Sequence, residues 1–157
     1  MRLAGVHAMA GLANDWKENR QTCVDVLCAY LRLPYDPDPG ADTAPKDRAA
    51  YLSNREIRHT VIRLICAHLR SDAAESWEGL DLDFTGVVFD GGDFSFARFP
   101  GGIVRFNGAR FSGGMVNFHG AEFSGGIVYF SGTEFSAGRV RFSDAKFSGG
   151  PARIRRS

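Results

Sequence analysis

The sequence predicts an α+β protein, with an N-terminal α-helical domain over 1–76, a solenoid of stacked, very short strands over 77–150, and a basic tail over 151–157. Three observations predict it. The last of the ten Leu is Leu82 and the first of the thirteen Phe is Phe84. Sixteen of the nineteen Gly follow residue 78. Before that point apolar residues recur at three- and four-residue steps; after it, Phe recurs at a fixed spacing of five or seven. So sharp a shift separates two folding regimes.

In the first half, Leu3, Val6, Ala10 and Ala13 share one helix face. So do Val24, Leu27, Cys28 and Leu31, and then Ile57, Val61, Leu64, Ile65 and His68. Each set follows the 3.6-residue period of an amphipathic helix. The first helix is expected to end near Asn14-Asp15. The second should stop before Pro34, because proline disfavours α geometry in the residue before it. Residues 34–46 hold four of the six prolines and three aspartates, and read as a solvent-exposed loop. Asn54 is the expected cap of the third helix. Its stretch EIRHTVIRLICAHL echoes the opening RLAGVHAMAGLA, each placing Arg before an apolar face. That echo favours a short HEAT-like helical stack.

From residue 100 the chain repeats every twelve residues: PGGIVRFNGARF, SGGMVNFHGAEF, SGGIVYFSGTEF, SAGRVRFSDAKF. The simplest unit is five residues, with two inserted after every second unit. Twelve units result, centred on Phe84, Phe89, Phe94, Phe99, Phe106, Phe111, Phe118, Phe123, Phe130, Phe135, Phe142 and Phe147. The residue before each Phe is charged in nine units, and a small or aliphatic residue lies two before it every time. The Phe and the residue two before it therefore face inward, and the residue between them faces out. Strands this short bury their Phe only by stacking on the next coil, so the twelve Phe are the expected core ladder.

These units, with Ala97, Ala109, Ala121 and Ala145 two residues before a central Phe, resemble the pentapeptide-repeat family. The resemblance spans 80–150 and implies a right-handed quadrilateral β-helix of about three coils, with four units per coil. Phe84, Phe106 and Phe130 would then stack, as would Phe94, Phe118 and Phe142. Gly101-Gly102 would lie against Gly125-Gly126, and Gly113-Gly114 against Ala137-Gly138, at corners needing positive φ. The helical half resembles the segment that precedes the repeat in many bacterial members, often after membrane-spanning helices. This chain starts inside that segment, so membrane attachment is expected only through sequence outside it. The helical half is expected to cap the N-terminal end of the solenoid.

The chemistry of the chain points away from catalysis. Nineteen basic against eighteen acidic residues give a net charge of +1, which argues against a nucleic-acid binder. Three irregularly spaced cysteines, Cys23, Cys28 and Cys66, read as core residues of a cytoplasmic protein. No apolar run approaches the roughly 18–20 residues of a membrane span. His7, His59, His68 and His119 lack metal-site spacing, and no metal or cofactor is expected. His68 is expected as a hydrogen-bonded core residue and His119 at the surface. Asp81, Asp83, Asp90 and Asp93 crowd the first coil and are expected to face solvent; Asp90-Gly91-Gly92-Asp93 is the one stretch to compare with a cation site. Arg153, Arg155 and Arg156 read as a frayed terminus.

The leading functional expectation is a non-enzymatic scaffold or protein-interaction module with a protein partner and no small-molecule substrate. A homodimer through the C-terminal coil is a further expectation. The alternative implied by the family is a DNA mimic that binds DNA gyrase. Mimicry needs a tall, negative surface, whereas the outward columns mix signs, as in Arg98–Glu122–Lys146. An enzyme, the third reading, would need a concave polar site.

Overall fold

The computed structural model describes residues 2–148 and the backbone of 153–155. Three α-helices come first: α1 (Leu3–Asp15), α2 (Arg20–Leu31) and α3 (Pro45–His68), with a 3-10 turn at Lys17–Asn19 before α2. α1 packs on α2, and both pack on α3. The buried stripes are Val6, Ala10 and Ala13 on α1, and Cys23, Val24, Leu27, Cys28 and Leu31 on α2. On α3 the buried set is shifted: Val61, Ile62, Ile65 and Cys66 are buried beside Arg58, whereas Ile57, Leu64 and His68 are half-buried.

Two expectations about α3 need correction. The helix begins at Pro45, not near Asn54, because proline at a first helical position brings a preset φ and loses no needed N–H. Asn54 lies within the helix, where its Oδ1 accepts a hydrogen bond from the Tyr30 hydroxyl at 3.1 Å. The Pro-rich loop is also less open than its composition indicates. Tyr35 is half-buried and stacks beside Tyr51 with ring centroids 6.3 Å apart.

Thirteen short strands follow among the described residues: β1 (Leu82–Asp83), β2 (Val88–Phe89), β3 (Gly92–Asp93), β4 (Arg98–Phe99), β5 (Ile103–Arg105), β6 (Arg110–Phe111), β7 (Met115–Asn117), β8 (Glu122–Phe123), β9 (Ile127–Tyr129), β10 (Glu134–Phe135), β11 (Arg139–Arg141), β12 (Lys146–Phe147) and β13 (Arg153–Arg155). Each of β1 to β9 pairs in parallel with the fourth strand after it. Four parallel sheets result: β1-β5-β9-β13, β2-β6-β10, β3-β7-β11 and β4-β8-β12. The chain is thus an α+β protein whose second part is a parallel β-solenoid. Part of the basic tail, expected to fray, instead supplies β13, which pairs with β9.

Register brings each Phe directly over its counterpart. Phe84, Phe106 and Phe130 stack at 5.2 and 5.1 Å, and Phe89, Phe111 and Phe135 at 5.2 and 5.0 Å. Phe94, Phe118 and Phe142 stack at 4.9 and 5.0 Å, and Phe99, Phe123 and Phe147 at 4.8 and 4.9 Å. The first eight of these rings are buried and Phe130 is half-buried. Phe135, Phe142 and Phe147 are 60%, 38% and 51% exposed, because described residues cover only one face of each ring. Thr133 occupies a small-residue slot and donates its hydroxyl to the Phe106 and Phe130 carbonyls at 3.0 and 2.8 Å.

The second glycine of three Gly-Gly pairs takes positive φ: Gly102 at +75°, Gly114 at +64° and Gly126 at +77°. A Cβ on Gly126 would fall 2.5 Å from the Gly102 carbonyl oxygen, so conformation and close stacking both demand glycine. One apolar cluster runs without a break from Val6 on α1 through Trp77 and the Phe columns to Val128.

Candidate functional site

The first turn of a solenoid leaves the outer edges of its strands without a preceding coil, and unpaired backbone groups there must find other partners. Here the helical half supplies them. Gln21 of α2 donates from Nε2 to the Asp81 carbonyl and accepts the Asp81 N–H at Oε1, both at 2.9 Å. Arg32, just after α2, donates to the Asp83 carbonyl of β1 at 2.8 Å. Arg58 of α3 donates to the Val88 carbonyl of β2 at 2.7 Å, and Arg70 to the Asp93 and Ser95 carbonyls at 3.2 and 2.9 Å. At β4 the Arg98 N–H donates to the Leu69 carbonyl at 2.8 Å. All four faces of the solenoid are therefore tied to the helices by hydrogen bonds, as the expected N-terminal cap requires.

Arg58 is the centre of this joint. It is only 3% exposed, yet among the described residues no carboxylate hydrogen-bonds it. One Nη donates to the Leu31 carbonyl at the end of α2 and the other to Val88, so a single planar group joins three elements. Its Cζ lies 4.1 Å from the centre of the Tyr35 ring, a cation–π contact that offsets part of the desolvation. Burial pushes the Arg58 pKa down, and the Tyr35 and Asp90 groups counter it.

Beside Arg58, Asp90 gathers three donors from two parts of the chain. The Tyr35 hydroxyl donates to Oδ2 at 2.6 Å, His59 Nε2 donates to Oδ1 at 2.7 Å, and the Arg55 guanidinium lies 3.5 Å away. Burial pushes the Asp90 carboxyl up, but the His59 and Tyr35 hydrogen bonds and the His59 and Arg55 charges outweigh it, and its pKa lies below the usual value. Burial, then the bond to Asp90, pushes the Tyr35 phenol up, so it remains a donor. A Cβ on Gly91, at φ +135°, would lie 3.2 Å from His59 Cε1. Glycine there admits the imidazole.

Next to this cluster α3, Arg70 and strands β3 and β7 border an open cleft of about 510 Å³, lined by His59, Ile62, Arg63, Arg70, Gly92, Asp93, Met115 and Asn117. It shares His59 with the polar cluster, and a second cleft, of about 300 Å³ and lined by Tyr35, Tyr51 and Asn54 among others, lies on the Tyr35 side.

The aspartates expected to face solvent are partly reassigned. Asp90 is the anionic hub of the joint, and Asp93 lies 3.5 Å from Arg70. Asp83 faces Arg32 at 3.7 Å, and Asp81 Oδ1 accepts the Ile103 N–H at 2.8 Å. Among the described residues no group of His, Cys, Asp and Glu is arranged to hold a metal ion. His68 donates from Nδ1 to the Leu64 carbonyl at 2.6 Å, accepts Asn14 Nδ2–H at Nε2, and stacks 3.9 Å from Trp77. The Trp77 indole N–H returns to Asn14 Oδ1 at 2.9 Å, closing a half-buried polar triangle. His119 lies at the surface against Ser143, and His7 is exposed. Burial pushes the Cys28 thiol up to about 12 and Cys66 up as well, which leaves both protonated and unreactive at neutral pH.

Arg32, Tyr35, Arg58, His59 and Arg70 carry the joint; the sequence names only His59 of these, and only as a histidine without metal-site spacing. A signal for Arg58 existed: it lies four residues before Ile62 and seven before Ile65, on the face that is buried. No helix among the described residues is long and apolar enough to cross a membrane. No family model, curated protein or solved structure matches the chain.

Proposed function

We propose that this chain is a pentapeptide-repeat protein, a right-handed quadrilateral β-helix of about three coils, acting as a non-enzymatic scaffold that displays outward side chains to a protein partner. The single observation that carries the reading is the joint. Arg32, Arg58 and Arg70 fasten the first strands to the helices across a continuous apolar core. Arg58, the buried charged side chain among the described residues, is committed to that fastening. What remains for recognition is a rigid post with columns of side chains repeating at about 4.8 Å, the spacing of neighbouring strands. Such a surface needs no backbone ordering on binding, so only its side chains lose freedom. Three free, buried thiols suit a cytoplasmic setting.

The test places a photo-crosslinking amino acid at Tyr129, Glu134, Arg141 or Lys146, one on each sheet, in cells of the native host. A scaffold gives one recurrent adduct from one or two faces and none from the others. No adduct from any face, or turnover of a small molecule by the pure protein, overturns the proposal.

A further inference from the structure

We infer that the cleft between α3 and the β3-β7-β11 sheet binds an acidic, aliphatic peptide segment of a partner protein, an inference that rests on the scaffold reading and names the chemistry of its partner. The chain as a whole is nearly neutral, at +1, so a local excess of one sign is informative. On two other faces neighbouring coils pair opposite charges: Arg98 lies 3.5 Å from Glu122, and Arg110 lies 3.4 Å from Glu134. The face beside the cleft does not. Register sets Arg139 next to Met115 and Arg141 next to Asn117, and neither arginine forms an ion pair among the described residues. Both are exposed.

Across the cleft stand Arg63 and Arg70 of the helical half, together with His59. The acidic groups there are Asp93, 3.5 Å from Arg70, Glu56, 3.6 Å from Arg63, and Asp90, 2.7 Å from His59 Nε2. The cations of the cleft wall thus have carboxylate partners, whereas the two guanidiniums that β11 sets beside Met115 and Asn117 have none among the described residues. Between them lie Ile62 and the exposed Met115, an apolar floor whose thioether adapts to varied side chains. A segment carrying Glu or Asp around one Leu or Ile matches this arrangement of charge and floor. The long, isolated phosphate track of a nucleic acid does not use the floor.

The test uses the full chain and a short fluorescent peptide of alternating Glu and Leu, with a Lys-and-Leu peptide and a single-stranded oligonucleotide of equal length as comparators. Anisotropy is expected to rise with the acidic peptide only and to fall back with added salt. The double variant R139E/R141E should bind at least about tenfold more weakly, whereas R110E on the neighbouring face should bind like the parent. Circular dichroism confirms that both variants fold. Chemical-shift changes should centre on Ile62, Met115 and Asn117. Tighter binding of the oligonucleotide, no binding of the acidic peptide, or shifts centred on another face overturns the inference. Recurrent crosslinks from another face alongside such a result would leave the scaffold reading standing while removing this site.

Discussion

Phe118 sits between Phe94 and Phe142 with ring planes 14° and 5° from parallel, and it is fully buried. Neighbouring coils are fixed by backbone pairing, so the space left by a deleted ring cannot close. Phe118→Ala is expected to cost about 3–5 kcal/mol in urea unfolding. Asn117 faces outward but is not idle, since its Oδ1 accepts the His119 N–H at 3.0 Å. Asn117→Ala should cost about 0.5–1 kcal/mol, the worth of one exposed turn bond. Equal small losses at the two positions would refute the inward–outward register. Gly126→Ala joins a steric clash with the Gly102 carbonyl to a left-handed backbone, and its thermal midpoint should fall below that of the neighbouring exposed change Ser124→Ala.

At the scale of elements, the joint between helices and solenoid yields two predictions. Arg58→Ala leaves the Leu31 and Val88 carbonyls without their donor, and two buried orphans cost about 2–6 kcal/mol together. Arg58→Lys should recover little, because one ammonium cannot replace a planar fork stacked on Tyr35. Asp90 adds a pH dependence. Its folded pKa lies below the unfolded value of about 4, so its stabilisation is fully present above that value and is lost as pH falls through the folded pKa. Urea midpoints of the parent and Asp90→Asn should therefore differ most above about pH 5 and converge as pH drops below about 4. A gap that stayed constant down to pH 3 would show that the carboxylate charge does not hold the joint. The Phe ladder was legible in the sequence because a two-residue alternation needs only neighbours, and the α1 and α2 stripes for the same reason. The joint was not. Tyr35 meets Asp90 across 55 residues, and Arg58 meets Val88 across 30. Composition reads Tyr35 as loop, and although helical spacing sets Arg58 on the buried face, nothing local records which carbonyls await its donors.

For the whole molecule, the continuous core implies one cooperative unit. Unfolding followed by helical circular dichroism and by Trp77 fluorescence, in a Trp16→Phe background, should give one coincident transition; two separated transitions would break the core in two. The same scale decides between a post that binds a protein and one that imitates DNA. A phosphate backbone presents one negative charge about every 1.7 Å along the duplex axis, without interruption. Along this solenoid the columns read Asp83–Arg105–Tyr129, Val88–Arg110–Glu134, Asp93–Asn117–Arg141 and Arg98–Glu122–Lys146, so among the described residues no face carries an unbroken anionic stripe. The pairs Arg98–Glu122 and Arg110–Glu134 join opposite charges on neighbouring coils, each at less than about 1 kcal/mol of stabilisation because they are exposed. The face beside α3 is more basic than acidic, which repels the cationic surface that a mimic must occupy. DNA supercoiling by gyrase should therefore proceed at an unchanged rate in the presence of the purified chain. Inhibition that faded with rising salt would assign the partner to a DNA-binding groove and remove the acidic-peptide site with it, because one face cannot be complementary to both.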